Sequence, residues 1–362
     1  MKIIKNAEVL RSNYIPEKLL FREDLVENIR LKVSLGTGNL LLHGDTGTGK
    51  TATVVNSMKD LENIILIFIT CVQYNTFASI TKKIIEEIRP YHVFNERGKS
   101  TASLSEELIK VLKTKRTKRF VFVFDEVDKL INKERDHQQI LGVISEATSS
   151  NIILISNDTN ALKNLDARIE SRLSPEKRPI ERYYANEIIE ILKERAILGL
   201  EEGSYDLEVI ARIGRWIYQT SGDIREALNL FYETACLAEK KGCRITLDLF
   251  EEAKNNVGEI EFDKIFADLP EHQRLIIAGV VKLSLEEPEG YAEHKRLYNF
   301  YENEAKNNNW EPVQIRQFER FLKKIELAKL IQITTRTPKN RRGKLVVSFP
   351  KFDVNRFIKQ YF

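Results

Sequence analysis

Residues 44–51 read Gly-Asp-Thr-Gly-Thr-Gly-Lys-Thr, three glycines around one lysine that is followed by a hydroxyl. Glycines let consecutive backbone N–H groups turn inward around phosphate oxygens, and a helix starting at the lysine adds its partial positive charge. Gly44, Thr46, Gly47, Thr48, Gly49 and Ala52 then belong to a phosphate cradle, Lys50 reaches β- and γ-phosphates, and the Thr51 hydroxyl ligates Mg²⁺. Downstream, the apolar run Phe-Val-Phe-Asp-Glu at 122–126 ends in two carboxylates. Asp125 is placed to hold Mg²⁺ through water, and Glu126 to orient or deprotonate an attacking water. An Asp-Glu pair alone is more often a helix cap, so its weight comes from the cradle. Asn157 ends another apolar run and offers a neutral amide to a γ-phosphate or a lytic water; a turn-forming Asn-Asp pair is the plainer reading. Arg225 follows Gly222-Asp223 at the start of a helical pattern, where a cation gains nothing from the helix dipole. It has either an anionic partner or none.

These residues need a sheet edge to bring them together. Residues 38–44, 63–70, 119–126 and 151–158 are nearly continuous in Ile, Leu, Val and Phe. Continuous rather than alternating apolarity marks strands covered on both faces, as in a parallel sheet between helices. The intervening segments, such as 103–115, carry helical spacing, so the fold class is α/β.

With 362 residues the chain is long for one core, and 42% hydrophobic with 30% charged residues describes a globular protein. No apolar run reaches the ~20 residues of a membrane helix, and the first residues lack the apolar core of a signal peptide, so an intracellular, cytoplasmic protein is expected. Cys71, Cys236 and Cys243 form no CxxC pair and read as small buried apolar residues. The five histidines show no ligand spacing. Net charge is only +4, but residues 310–362 hold 13 Lys and Arg against 4 Asp and Glu. One end of the chain is built to meet a polyanion.

From 186 to 258 the strands stop and apolar residues recur three and four apart, giving a small helical domain in which Trp216 and Tyr218 read as core. Residues 268–287, 290–308 and 311–331 read as three helices, and 331–349 as two β runs around a Pro-Lys-Asn-Arg-Arg-Gly turn. Three helices and a basic hairpin are the layout of a winged helix. Its third helix carries Gln314, Arg316, Gln317, Arg320, Lys323 and Lys324 toward a major groove, and the hairpin tip carries Lys339, Arg341, Arg342 and Lys344 toward phosphates or a minor groove. The domains expected are 1–185, a nucleotide-binding core; 186–258, a helical lid; and 259–362, a winged helix.

The motifs at 44–51, 122–128, 155–158, 165–173 and 222–228 occur in the order of the Walker A, Walker B, sensor 1, arginine-finger and sensor 2 regions of AAA+ ATPases. With the lead-in at 13–29 and the basic C-terminal domain, the chain resembles the archaeal Orc1/Cdc6 replication initiators over essentially its whole length. The resemblance implies an AAA+ P-loop parallel sheet with helices on both faces, then a lid and a winged helix. It implies that Tyr14, Ile15, Pro16 and Arg22 lie near adenine, that Asn157 and Arg225 are the two sensors, and that Arg172 is the finger, with Arg168 its rival. It further implies ATP or ADP with Mg²⁺, slow hydrolysis acting as a switch, and origin duplex DNA as partner, together with paralogues and a replicative helicase, and hence a nucleoid-associated protein. Initiators of this type carry an extra DNA-touching element near 71–100, where Lys82, Lys83 and Arg89 are candidates and a plain surface helix is the alternative. The chain departs from the family at Asp45, where Pro is usual, and at 174–184, which lacks the expected Pro-Tyr pattern. A branch-migration motor that also joins AAA+ to a winged helix, and a nucleotide switch that binds a protein, remain alternatives.

Overall fold

The computed structural model describes residues 2–91, 94–114, 118–133, 135–148, 150–158, 160–287, 289–328, 330–336, 345–350 and 354–361. They form two compact units, Met1–Phe250 and Glu251–Phe362.

The first unit opens with an irregular lead-in. It continues through α1 (Glu23–Leu35), β1 (Leu40–His43), α2 (Lys50–Met58), β2 (Ile64–Thr70), α3 (Phe77–Ile88), α4 (Thr101–Leu112) and β3 (Arg119–Asp125). Then come α5 (Asp128–Ile131), α6 (Arg135–Ala147), β4 (Asn151–Ser156), α7 (Ala167–Leu173) and β5 (Glu176–Pro179). The strands form one five-stranded sheet in the order β2-β3-β4-β1-β5, and every described pairing is parallel. β3 explains the continuous apolar pattern. Phe120, Phe122 and Phe124 pack with α3, α4 and α6 residues on one face, while Val121 and Val123 join Ile29, Val33 and Val54 of α1 and α2 on the other. Each buried phenylalanine contributes roughly 2–3 kcal/mol by leaving water.

Four of the strands fall where apolarity placed them. β5 was not expected: its sequence, Glu-Lys-Arg-Pro, is polar because it is an edge strand with little buried surface. It pairs with β1 from Leu40↔Glu176 to His43↔Pro179 and carries the chain toward the lid.

The lid consists of α8 (Ala185–Gly199), α9 (Leu207–Thr220), α10 (Ile224–Lys241) and the start of α11 (Leu247–Asp268). The expected boundary after residue 258 falls inside α11. Residues expected in the core by type are partly outside it: Tyr218 is exposed beside Tyr184, Trp216 is half-buried against Phe250, and Cys243 is exposed, whereas Cys71 is buried. The N-terminal residues belong with the lid. Ile3, Val9 and Leu10 are buried, the Ile3 and Ile4 amides donate to Glu239 Oε2 at 2.6 and 2.8 Å, and Lys5 N donates to Gly199 O. Those amide bonds hold the Glu239 carboxyl below its ordinary pKa.

The second unit contains α12 (Glu271–Glu286), β6 (Ala292–Glu293), α13 (His294–Asn307), α14 (Ile315–Leu327), β7 (Ile331–Arg336), β8 (Leu345–Pro350) and α15 (Val354–Tyr361). Its antiparallel sheet runs β6-β8-β7, and Ile276, Val280, Leu297, Phe318, Leu322 and Ile331 are among its core residues. The three helices and the two hairpin strands match the expected winged helix; β6 and α15 are additions. No described helix is long and apolar enough to cross a membrane.

Candidate functional site

The order β3-β4-β1 brings the carboxyl ends of three strands side by side, where open α/β sheets hold ligands. β1 delivers residues 44–49 and α2 begins at Lys50. Gly47 and Gly49 have φ of 69° and 85°, a left-handed backbone that a side chain disfavours. Space requires them as well: a Cβ on Gly49 would lie 2.8 Å from Tyr183 Oη, and one on Gly47 would run into the Asp223 carboxylate. Gly47→Ala is therefore expected to cost about 1–2 kcal/mol from backbone strain alone. Displacing Asp223 also moves the start of α10, so nucleotide affinity should fall with the melting temperature; calorimetry with and without nucleotide checks both.

Lys50 is buried, with Nζ donating to Gly44 O at 2.9 Å and Asp45 O at 2.5 Å. Burial, and then the neighbouring Arg225 charge, push its pKa down. A cation so placed is under-solvated, and phosphate oxygens would supply the counter-charge. Thr51 Oγ1 donates to Asp125 Oδ2 at 2.9 Å, so the hydroxyl and carboxylate assigned to one metal do converge. They are hard oxygen donors, as Mg²⁺ requires, and Mg²⁺ takes few protein ligands beside water and phosphate.

Glu126 has φ of 53°, a left-handed conformation rare outside glycine, and its N–H is capped by Asp125 Oδ1 at 3.0 Å. Strain of this kind gathers at functional sites. Asn157 is exposed just beyond β4, whose last residue, Ser156, donates to the buried Asp128 at 2.9 Å. Asp128, not singled out from sequence, ties the start of α5 after β3 to the end of β4.

A cavity of about 400 Å³ adjoins the cradle, within the range of small-molecule sites. Tyr14, Ile15 and Pro16 line it from the lead-in, Gly49, Thr51 and Ala52 from the cradle, and Ile224, Arg225 and Leu228 from α10. Asn56 Nδ2 and Lys59 Nζ of the α2 region donate to Pro16 O at 2.9 and 3.0 Å, tying the lead-in to the core. Arg195 of α8 is buried, donates to Val9 O and Tyr14 O, and lies 4.7 Å from the Tyr14 ring centroid. Sequence reasoning missed Arg195, Ile191 and Tyr183, which also line this cavity; their only signal was position in an amphipathic helix or after an unexpected strand. Arg22 is not among the lining residues. Its guanidinium donates to Thr48 O and Glu181 O and stacks 4.0 Å over Tyr183, so it braces the cradle from outside. Asp223 caps α10 by accepting from Arg225 N at 2.8 Å, which explains why the Gly-Asp pair starts that helix.

Arg168 and Arg172 are both exposed on α7, and Arg172 forms an ion pair with Glu146 of the same chain. On α3, Lys82 and Lys83 pair with Glu96 and Glu87, and the buried Phe77, Ile80, Ile84 and Ile85 hold the opposite face. On α14, Arg316, Arg320, Lys323 and Lys324 are exposed opposite the buried Phe318, Leu322 and Ile325. Gln314 is the exposed N-cap, and the half-buried Gln317 accepts from Arg320 at 3.4 Å. The hairpin-tip residues Lys339, Arg341, Arg342 and Lys344 lie outside the described residues.

Three family models match the chain in succession: an AAA domain over 34–165, a Cdc6 AAA+ ATPase-type lid domain over 189–255, and a CDC6 C-terminal winged helix domain over 264–350. The ORC1-type DNA replication protein 1 of Archaeoglobus fulgidus is 33% identical over 323 residues, 82% of this chain and 77% of that one. Among solved structures, Aeropyrum pernix Orc1 in complex with DNA superposes with a TM-score of 0.79 at 23% identity, covering 100% of this chain and 98% of that one. Aeropyrum pernix ORC2, solved with ADPNP and ADP, gives 0.61 at 18% identity, covering 99% and 97%. The two structures share this fold.

Proposed function

The chain belongs to the Orc1/Cdc6 family of ORC1-type DNA replication proteins, and on that premise we propose that it is a replication initiator that binds origin duplex DNA under nucleotide control. As a member of that family it is an AAA+ ATPase and binds nucleotide. The observation that carries the proposal is the convergence of cradle, lead-in and Arg225 on one cavity, in a chain whose other unit exposes the basic face of α14.

In the proposed arrangement the adenine of ATP lies against Tyr14, Ile15 and Pro16, and the phosphates lie in the loop from Gly44 to Thr51. Lys50 exchanges its two carbonyl partners for phosphate oxygens. Thr51, and Asp125 through water, would hold Mg²⁺, which would supply charge neutralisation there. Glu126 orients and deprotonates the lytic water, Asn157 fixes it, and Arg225 reports the phosphate state to α10 and the lid. A finger from α7 acts on a neighbouring subunit. Arg172 would first leave Glu146, a small cost for an exposed pair. On α14, Arg316, Arg320, Lys323 and Lys324 meet phosphates and base edges, with Gln314 at the helix start. Nucleotide state then governs assembly with paralogous initiators or loading of a replicative helicase.

Glu126→Gln tests the hydrolytic half. It keeps the shape of the side chain and removes the base, so turnover should fall about 10²- to 10⁴-fold with ATP affinity within a few-fold of wild type. Steady-state phosphate release beside equilibrium ATP binding reads both; unchanged turnover would remove Glu126 from its role.

A further inference from the structure

Two departures of this sequence from its family pattern, Asp45 in the cradle and the 174–184 stretch, meet in space. Arg182 Nε donates to Asp45 Oδ2 at 2.6 Å. Arg182 lies between β5 and α8, on the connection from the sheet to the lid. The same side chain backs the turn that starts α10: a Cβ added to Gly222 would lie 3.1 Å from Arg182 Cδ. Gly222 precedes Asp223, whose carboxylate fills the space over Gly47, and Ile224 N donates to Gly47 O at 3.4 Å. One arginine on the β5–α8 connection thus binds the phosphate loop and supports the turn that presents Arg225.

From this geometry we infer that Arg182 is a positioning residue which, paired with Asp45, latches the lid against the phosphate loop and sets how fast nucleotide enters and leaves. This rests on the reading of the cavity as the nucleotide site. Arg182 acts through the lid and does not itself touch nucleotide. Asp45 and Arg182 are both more than half exposed, so their attraction is modest and screened by salt. Such a pair does not hold the fold together, but it can change the population of an open lid a few-fold. It also gives Asp45 a purpose: a carboxylate beside phosphates would oppose binding unless a cation were held against it.

The test is stopped-flow release of a fluorescent ADP analogue from the full chain, comparing wild type, Asp45→Asn, Arg182→Gln and the double variant. Each single variant should release about threefold faster. The double should release about threefold faster too, because both substitutions break one contact. Raising salt should narrow the difference in release rate between wild type and the variants, because it screens the pair that only wild type has. Release rates equal to wild type, or a double variant near ninefold, would overturn the latch. So would slower release from Asp45→Asn, which would make Asp45 a repelling charge. Lys50→Ala runs alongside: if it keeps wild-type ADP affinity, the nucleotide site itself is misplaced. If it loses affinity while the latch variants match wild type, only the latch fails.

Discussion

Lys50→Ala should weaken ATP and ADP binding at least about a hundredfold. The side chain is buried and its pKa is held down by burial and by Arg225, so the folded protein holds a cation at a disadvantage and phosphate relieves it. Charge-assisted hydrogen bonds in a partly dehydrated site contribute roughly 1.5–3 kcal/mol each, and Lys50 can make more than one. The variant should fold, because the carbonyls of Gly44 and Asp45 that now receive Nζ lie in a loop half-buried at Gly44 and exposed at Asp45, and can turn to water. Lys50 lies in the first compact unit and α14 in the second. Duplex DNA binding measured without nucleotide should therefore stay close to wild type. Isothermal titration with each nucleotide and anisotropy on duplex DNA separate the two effects. Nucleotide affinity within a few-fold of wild type would take the phosphates out of the 44–51 loop.

The combined variant Arg316→Ala, Arg320→Ala and Lys323→Ala should cost duplex affinity on the order of a hundred- to a thousandfold. The three side chains recur three and four apart on the exposed face of α14, and the buried face keeps Phe318, Leu322 and Ile325, so the helix retains its packing. Each phosphate contact releases counterions, so the slope of log affinity against log salt should become shallower by about 2.7 if all three meet phosphate. A contact to a base edge would instead lower sequence preference with less change in slope. Loss of affinity with the wild-type slope would place these residues on base edges. Wild-type affinity would remove α14 from the interface.

What could be read from sequence followed burial. Strands covered on both faces announce themselves by unbroken apolarity, and the 44–51 loop by residue types that few other structures require. β5 gave no such signal, because an edge strand of Glu-Lys-Arg-Pro has almost no apolar face to show. Asp45 could not be explained from the loop alone, since its partner Arg182 is 137 residues away, on the exposed connection between β5 and α8. The cavity-lining role of Arg195 was equally hidden. Nothing in an amphipathic helix marks one arginine as buried under the lead-in. The resemblance put Arg22 near the adenine, and its guanidinium meets the cradle at Thr48 O while it also binds Glu181 O and stacks over Tyr183. Local pattern thus marked the candidate groups for chemistry, while the contacts that position them depend on long-range packing that no local pattern encodes.

A nucleotide site and a basic winged helix share one chain, and equilibrium binding of the full chain to duplex DNA across a salt series decides whether DNA is the partner. With ATP present, affinity should fall on the order of a thousandfold or more between ~50 and ~200 mM salt, as counterion release from several phosphates requires. Absent binding, or binding that does not change with salt, would contradict the account and point to a nucleotide switch whose partner is a protein.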